Sequence, residues 1–208
     1  GRTSQYLIIP VQTHQPNQRN NPMHILLTSA ASPLSASLVD QLSPAYTLRL
    51  TERRMIKSEH EFVLADLGHD ASTNLLVRGM DGVIHVDAMP ADADTDVQID
   101  QSTRCTYNLL LAAAGEGVKR VVYLSTLELM AAYDGYLYDT RWRPQPTTAP
   151  ATLTKFLGES TCKEFAREGK VAVTILRVAP NASAESVAAE ITDALTGDHP
   201  VWQIVHVE

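Results

Sequence analysis

The sequence predicts a doubly wound α/β fold, a mainly parallel sheet of about seven strands with helices on both faces. Three observations carry this expectation. From Met23 onward, short runs rich in Val, Ile and Leu alternate with stretches of helical periodicity. Several runs are apolar almost throughout, as in strands covered on both faces, rather than at every second residue. Strand–helix alternation of this kind implies parallel pairing through right-handed crossovers.

The strands are read, in order, at His24–Thr28, Tyr46–Leu50, Glu61–Ala65, Val83–Asp87, Val121–Ser125, Val171–Arg177 and Val201–Val207. Helices are expected between them. Pro33–Leu42 follows the first strand and Ala71–Gly79 the third. Asp96–Gly115 is one long helix, with Ile99, Thr106, Leu109, Leu110 and Ala113 at helical spacing. Thr152–Gly169 carries Leu153, Phe156, Leu157, Cys162 and Phe165 on one side. Ala184–Thr196 does the same with Val187, Ala188, Ile191, Ala194 and Leu195. Gly115-Glu-Gly117 and Gly169 fit helix C-caps, where a left-handed residue satisfies orphan carbonyls. Leu129–Pro150 is irregular, with prolines at 144, 146 and 150 and tyrosines at 133, 136 and 138. Following a central strand, it is expected to overhang the ligand crevice at the carboxyl edge of the sheet. Residues 1–22 read as an arm or tag, and Tyr6–Val11 is an apolar patch able to add a strand to a sheet edge. Residues 23–208 read as one domain.

Composition narrows the function. The chain has 208 residues, 44% hydrophobic and 20% charged, the balance of a soluble globular domain. No apolar run approaches the roughly 18–20 residues that span a bilayer. A net charge of -7 opposes non-specific binding to nucleic acid or anionic lipid. The two cysteines, Cys105 and Cys162, form neither a disulfide framework nor a zinc site. They suit a reducing, cytoplasmic compartment and read as small packing residues. Histidines 14, 24, 60, 69, 85, 199 and 206 lack ligand spacing. Asp92, Asp94 and Asp96 alternate without the glycine and terminal glutamate of a calcium loop, so no metal site is expected. His24, His85 and His206 fall in strands and read as satisfied core or edge residues. There is no Walker A pattern and no G-x-S-x-G elbow. No glycine lies between Gly1 and Gly68, although a phosphate-cradling loop after the first strand would need one.

Several segments, in order, carry a resemblance. Met23-His-Ile-Leu-Leu-Thr-Ser-Ala-Ala-Ser-Pro-Leu-Ser35 stands where a first strand and glycine-rich turn would be. Ala65-Asp66-Leu67, Val83-Ile-His-Val-Asp-Ala88, Thr106–Ala114, Gly117–Thr126, Lys155-Phe-Leu-Gly-Glu159 and Val173-Thr-Ile-Leu-Arg177 follow. Together they resemble the extended short-chain dehydrogenase/reductase family, the NAD-dependent epimerase/dehydratase group, over residues 23–181. The tail, Ser186–Leu195 and Val201–Val205, resembles that family's later helix and strand. The substrate-binding insertions normally found between Arg177 and that helix are nearly absent. The resemblance implies a Rossmann-type domain, NAD or NADP as cofactor if any is bound, and dimerisation through the helices at 96–115 and 152–169.

The resemblance also locates what such chemistry would need. The family's G-x-x-G-x-x-G glycines correspond to Ser29, Ser32 and Ser35. Serine can cap a helix, but it disfavours positive φ and adds bulk beside a pyrophosphate. After the second strand, Glu52 could accept a ribose 2′-hydroxyl and Arg53 could pair with a 2′-phosphate; a solvated polar turn is the plainer reading. Asp66 and Leu67 match the pair that contacts adenine, though Asp66 could instead cap the helix near Ala71. Lys155 matches the lysine that holds the nicotinamide ribose and lowers the pKa of the catalytic tyrosine. That tyrosine's position is Ala151, which has no proton to give. The position of the polarising serine or threonine is Leu127, with Thr126 one residue away. Tyr133, Tyr136 and Tyr138 could swing in as donors or simply cover apolar surface. Lys155 is then either a remnant with its ammonium in water or an anion ligand. The expectation is a non-catalytic Rossmann-fold binding or assembly protein. The alternatives are a divergent NAD(P)-dependent oxidoreductase or epimerase, and a nucleotide or metabolite sensor.

Overall fold

A computed structural model describes residues 21–208 apart from residues 89 and 91. The apolar patch at 6–11, and with it all but the end of the expected arm, lies outside the described residues. The sheet contains β1 (His24–Leu27), β2 (Thr47–Glu52), β3 (Glu61–Leu64), β4 (Gly82–His85), β5 (Arg120–Thr126), β6 (Ala172–Val178) and β7 (Trp202–Val207). Its order is β3-β2-β1-β4-β5-β6-β7, and every pairing is parallel. Strand order reverses between β1 and β4, which opens a crevice at their carboxyl ends.

The apolar strands are explained by two cores. On one face, Leu26, Val83, Val121, Tyr123, Val173 and Ile175 pack under α2 (Ala71–Val77), α4 (Thr106–Gly115) and α5 (Pro150–Arg167). On the other, Ile25, Leu27, Ile84, Val122, Leu124 and Leu176 pack under α1 (Pro33–Leu42) and α6 (Ala184–Thr196). Consecutive residues of β1, β4 and β5 thus enter opposite cores, so period-two alternation is lost.

The long helix expected at 96–115 is not uniform. It opens as α3 (Thr95–Asp100), widens into a π turn at Gln101–Cys105 and continues as α4. The C-caps form at Gly117 (φ 78°) and Gly169 (φ 67°). At each, a 6→1 bond (Val118 N–H to Ala113 O, Lys170 N–H to Phe165 O) accompanies a 5→2 bond, the Schellman pattern. Gly115 itself stays inside the helix. The irregular segment begins as a 3-10 helix, Leu127–Tyr133. It does not overhang the β1/β4 crevice as expected. Tyr138 packs on His206 of β7, and Thr140–Pro144 wall a cleft beside α5. No described helix is long and apolar enough to cross a membrane.

Candidate functional site

The crevice at the switch point is built from three chain turns, each ending a strand. All three carry a non-glycine residue in the left-handed region: Ser29 (φ 50°) after β1, Leu67 (φ 56°) after β3 and Asp87 (φ 48°) after β4. Such residues cost on the order of 1–3 kcal/mol each and persist where surrounding contacts over-determine them.

Those contacts are specific. Ser29 keeps the left-handed backbone that a glycine would favour, although serine disfavours it. Its hydroxyl donates to Ala88 O (3.3 Å) and accepts from Ala88 N–H (3.2 Å), tying the β1 turn to the β4 turn. Ser32 caps α1 by accepting from Ser35 N–H, and the buried Ser35 hydroxyl donates to Thr28 O (3.2 Å). All three hydroxyls are therefore used within the protein.

Arg53 and Arg54 form an exposed bend, as the plainer reading has it, but the side chains of Glu52 and Arg53 are engaged within the protein. The Glu52 carboxylate accepts from Ala31 N–H (3.0 Å) in the turn before α1, and from Arg53 N–H (2.8 Å). The Arg53 guanidinium crosses to Gln101 Oε1 and lies 3.4 Å from Cys105 Sγ, both on the π turn. Around Ser29, Glu52, Arg53, Leu67 and Gln101 there remains a cavity of about 20 Å³, room for about one water. Leu67 is buried, with its carbonyl held by Asn108 Nδ2 (2.9 Å). Asp66 does not cap α2. Its Oδ1 accepts from Gly68 N–H, and the cap is Asp70, which accepts from Ser72 N–H.

Lys155 does not hold its ammonium free in water: the side chain is 19% exposed, and the anion it faces is the protein's own Asp87. Its Nζ donates to Val86 O (2.9 Å), Asp87 O (2.8 Å) and Leu124 O (3.1 Å). Asp87 Oδ2 stands 4.0 Å away and accepts from the buried Tyr123 hydroxyl at 2.7 Å. Burial pulls the Lys155 amine below its ordinary pKa, while Asp87 pushes back. Burial, with Asp87 adding to it, lifts the Tyr123 phenol well above its ordinary value. Gly158 makes this arrangement possible, because a Cβ there would sit 2.0 Å from the Tyr123 hydroxyl oxygen. Beside it, His85 is satisfied as expected, between Thr28 Oγ1 (2.8 Å) and Thr106 Oγ1 (2.9 Å). Burial lowers its pKa to about 4. Two buried oxygens nearby, Asp87 Oδ1 and Ser125 Oγ, have no hydrogen-bond partner among the described residues.

The remaining candidates lie elsewhere. Ala151 is in the first turn of α5. Thr126 caps the 3-10 helix, accepting from Glu128 N–H. Tyr133 donates to Arg143 O and packs edge-on against Trp142, and Tyr136 is exposed. Asp87, Tyr123, Gly158 and Asn108 were missed by sequence reasoning. Asp87 alone carried a signal, because it stands where the resemblance leads one to expect a small residue beside the cofactor.

Fold and crevice together define a Rossmann-type α/β class of domain. Within that class, the chain belongs to the NAD dependent epimerase/dehydratase family, whose profile matches residues 27–196. Among solved structures it is similar to a short-chain dehydrogenase/reductase superfamily protein from Agrobacterium tumefaciens with bound NAD (29% identity, TM-score 0.66, 74% of this chain and 48% of that one). It shares its fold with UDP-N-acetylglucosamine 4-epimerase from Bacillus cereus (16%, 0.77, 89% and 75%). Uronate dehydrogenase from Agrobacterium tumefaciens is comparable (21%, 0.75, 89% and 76%). The chain thus spans about half the length of the first of these and about three quarters of the other two. No curated protein matches its sequence.

In this structure Lys155 is committed to backbone carbonyls rather than free to hold a nicotinamide ribose, and Glu52 takes Ala31 N–H in the turn before α1.

Proposed function

We propose that this chain is a non-catalytic member of its family, a Rossmann-fold protein that serves in binding or assembly. The observation that carries this reading is the state of Lys155. An ammonium has three N–H donors, and here three backbone carbonyls take them. To hold a ribose it would have to give up charge-assisted hydrogen bonds inside a buried site, each about 1.5–3 kcal/mol. No tyrosine stands four residues before it, so its usual partner in proton transfer is missing too. In this reading the serine turn, Glu52 and Arg53 are structural.

Assembly follows the face the resemblance points to. We take the dimer to form through α3–α4 and α5, where Tyr107 is half exposed and stands edge-on to Phe165 (5.4 Å). A C2 pair would bury that face against its own copy. Residues 23–208 form the domain, with 1–22 as an arm, and the buried, unpaired Cys105 and Cys162 suit a reducing cytoplasmic setting.

A second reading rests on Asp87 Oδ1 and Ser125 Oγ. Buried oxygens without partners are costly, and a ligand could satisfy them. On that reading the chain is a metabolite sensor or a divergent NAD(P)-dependent oxidoreductase. Isothermal titration with NAD, NADH, NADP and NADPH separates the two, after mass spectrometry has excluded co-purified nucleotide. The non-catalytic reading expects no heat of binding up to millimolar nucleotide. Saturable binding in the micromolar range would sink it.

A further inference from the structure

We propose that a second cleft, beside α5 and lined by other residues than the β1/β4 crevice, binds a small aromatic anion. The cleft has a volume of about 580 Å³ and lies between α5, β7 and the segment Thr140–Pro144. That volume falls within the range of small-molecule sites. Both tryptophans of the chain, Trp142 and Trp202, line it together with Phe156. Its charge runs against the rest of the molecule. Arg141, Arg143, Lys163 and Arg177 line it, against one carboxylate, Glu159, in a protein of net charge -7.

The cations are not equally engaged. Arg177 is buried and grips Glu159 with two bonds, at 2.9 and 2.8 Å. Its other terminal nitrogen meets only the soft sulfur of Met130, at 3.3 Å. Arg141 is paired with Asp139. Arg143 and Lys163 have no acidic partner within 4.0 Å among the described residues. In register with Arg177 on β7 stands His206, whose buried Nε2 also lacks a partner among the described residues.

The wall is fixed although it has no regular secondary structure. Trp142 packs edge-on to Tyr133 (4.9 Å). The Tyr133 hydroxyl donates to Arg143 O and accepts from Gln145 Nε2, both at 2.7 Å. Gln145 N–H in turn bonds Leu129 O. A pre-ordered wall loses little entropy on binding. Aromatic faces favour a flat unsaturated ring, and two uncommitted cations favour a negative group on it. Such a ligand is an aryl carboxylate or aryl phosphate.

Because both tryptophans line the cleft, intrinsic fluorescence reads it directly. The probe is phenyl phosphate, with the protein's tryptophans excited at the red edge of their absorption, where phenyl phosphate is transparent. Benzamide supplies a ring without charge, and inorganic phosphate a charge without a ring. The proposal expects saturable quenching by phenyl phosphate, about tenfold tighter than either control. Arg143→Gln and Lys163→Gln should each weaken it by about tenfold, the loss of one charge-assisted bond, with melting temperatures unchanged. Absence of saturation, an equal response to benzamide, or wild-type affinity in both variants would overturn it. None of these outcomes bears on nucleotide binding in the β1/β4 crevice.

Discussion

An ammonium withdrawn from water costs several kcal/mol unless carbonyls and a carboxylate replace the lost hydration. Lys155 has both, and Asp87 is the charge that balances it. Asp87→Asn keeps the shape and removes that charge, so we expect a loss of about 3 kcal/mol in urea denaturation at neutral pH. The loss should shrink at alkaline pH. Because the folded pKa of Lys155 lies below its unfolded value, the unfolded chain binds that proton more tightly. Stability therefore rises as pH climbs from the folded pKa of Lys155 towards its ordinary value of 10.5. A pH-independent loss below about 1 kcal/mol would mean that Asp87 does not carry the charge balance. The serine triplet, Lys155 and the missing tyrosine were legible through the family resemblance. Their partners were not. Nothing local in the sequence says that Glu52 reaches Ala31, or that Tyr123 lies beside Asp87 across the sheet.

At the scale of elements, α5 is pinned to the sheet in two places. Gly158 lets the helix sit over the Tyr123 ring, and Glu159 grips Arg177 of β6. Gly158→Ala pushes a methyl group into the Tyr123 hydroxyl and should cost about 2–3 kcal/mol. Tyr123→Phe in the same chain should recover part of that, as read by thermal melting. Glu159→Gln leaves a buried guanidinium without its counter-charge and should cost about 3 kcal/mol. The inner strands were legible to within a residue or two because both their faces are buried. The π turn was not. Apolar positions at 99, 109, 110 and 113 suit a continuous helix, and a single widened turn barely disturbs that spacing. It places Gln101 and Cys105 against Arg53, and so helps close the crevice.

The molecule as a whole should weaken in acid through His85. It is buried and neutral between two threonines, and its pKa falls from 6.5 to about 4. Below 6.5 the unfolded chain takes up a proton that the folded one refuses, so stability is lost as pH falls towards 4. The full loss is about 3 kcal/mol, seen as a falling melting temperature that flattens in His85→Gln. If the proposed dimer forms, sedimentation velocity should show it, and Tyr107→Asp should dissociate it. The fold class was legible from the order of strands and helices, whereas the closed crevice depends on contacts between turns far apart in sequence.

The central claim is that the family's cofactor seat is filled from within. A crystal structure of the protein grown with millimolar NADH tests it most directly. We expect Lys155 Nζ still on the carbonyls of Val86, Asp87 and Leu124, with Glu52 on Ala31 and no nucleotide in the crevice. A nucleotide lying there, with Lys155 turned to its ribose, would contradict it.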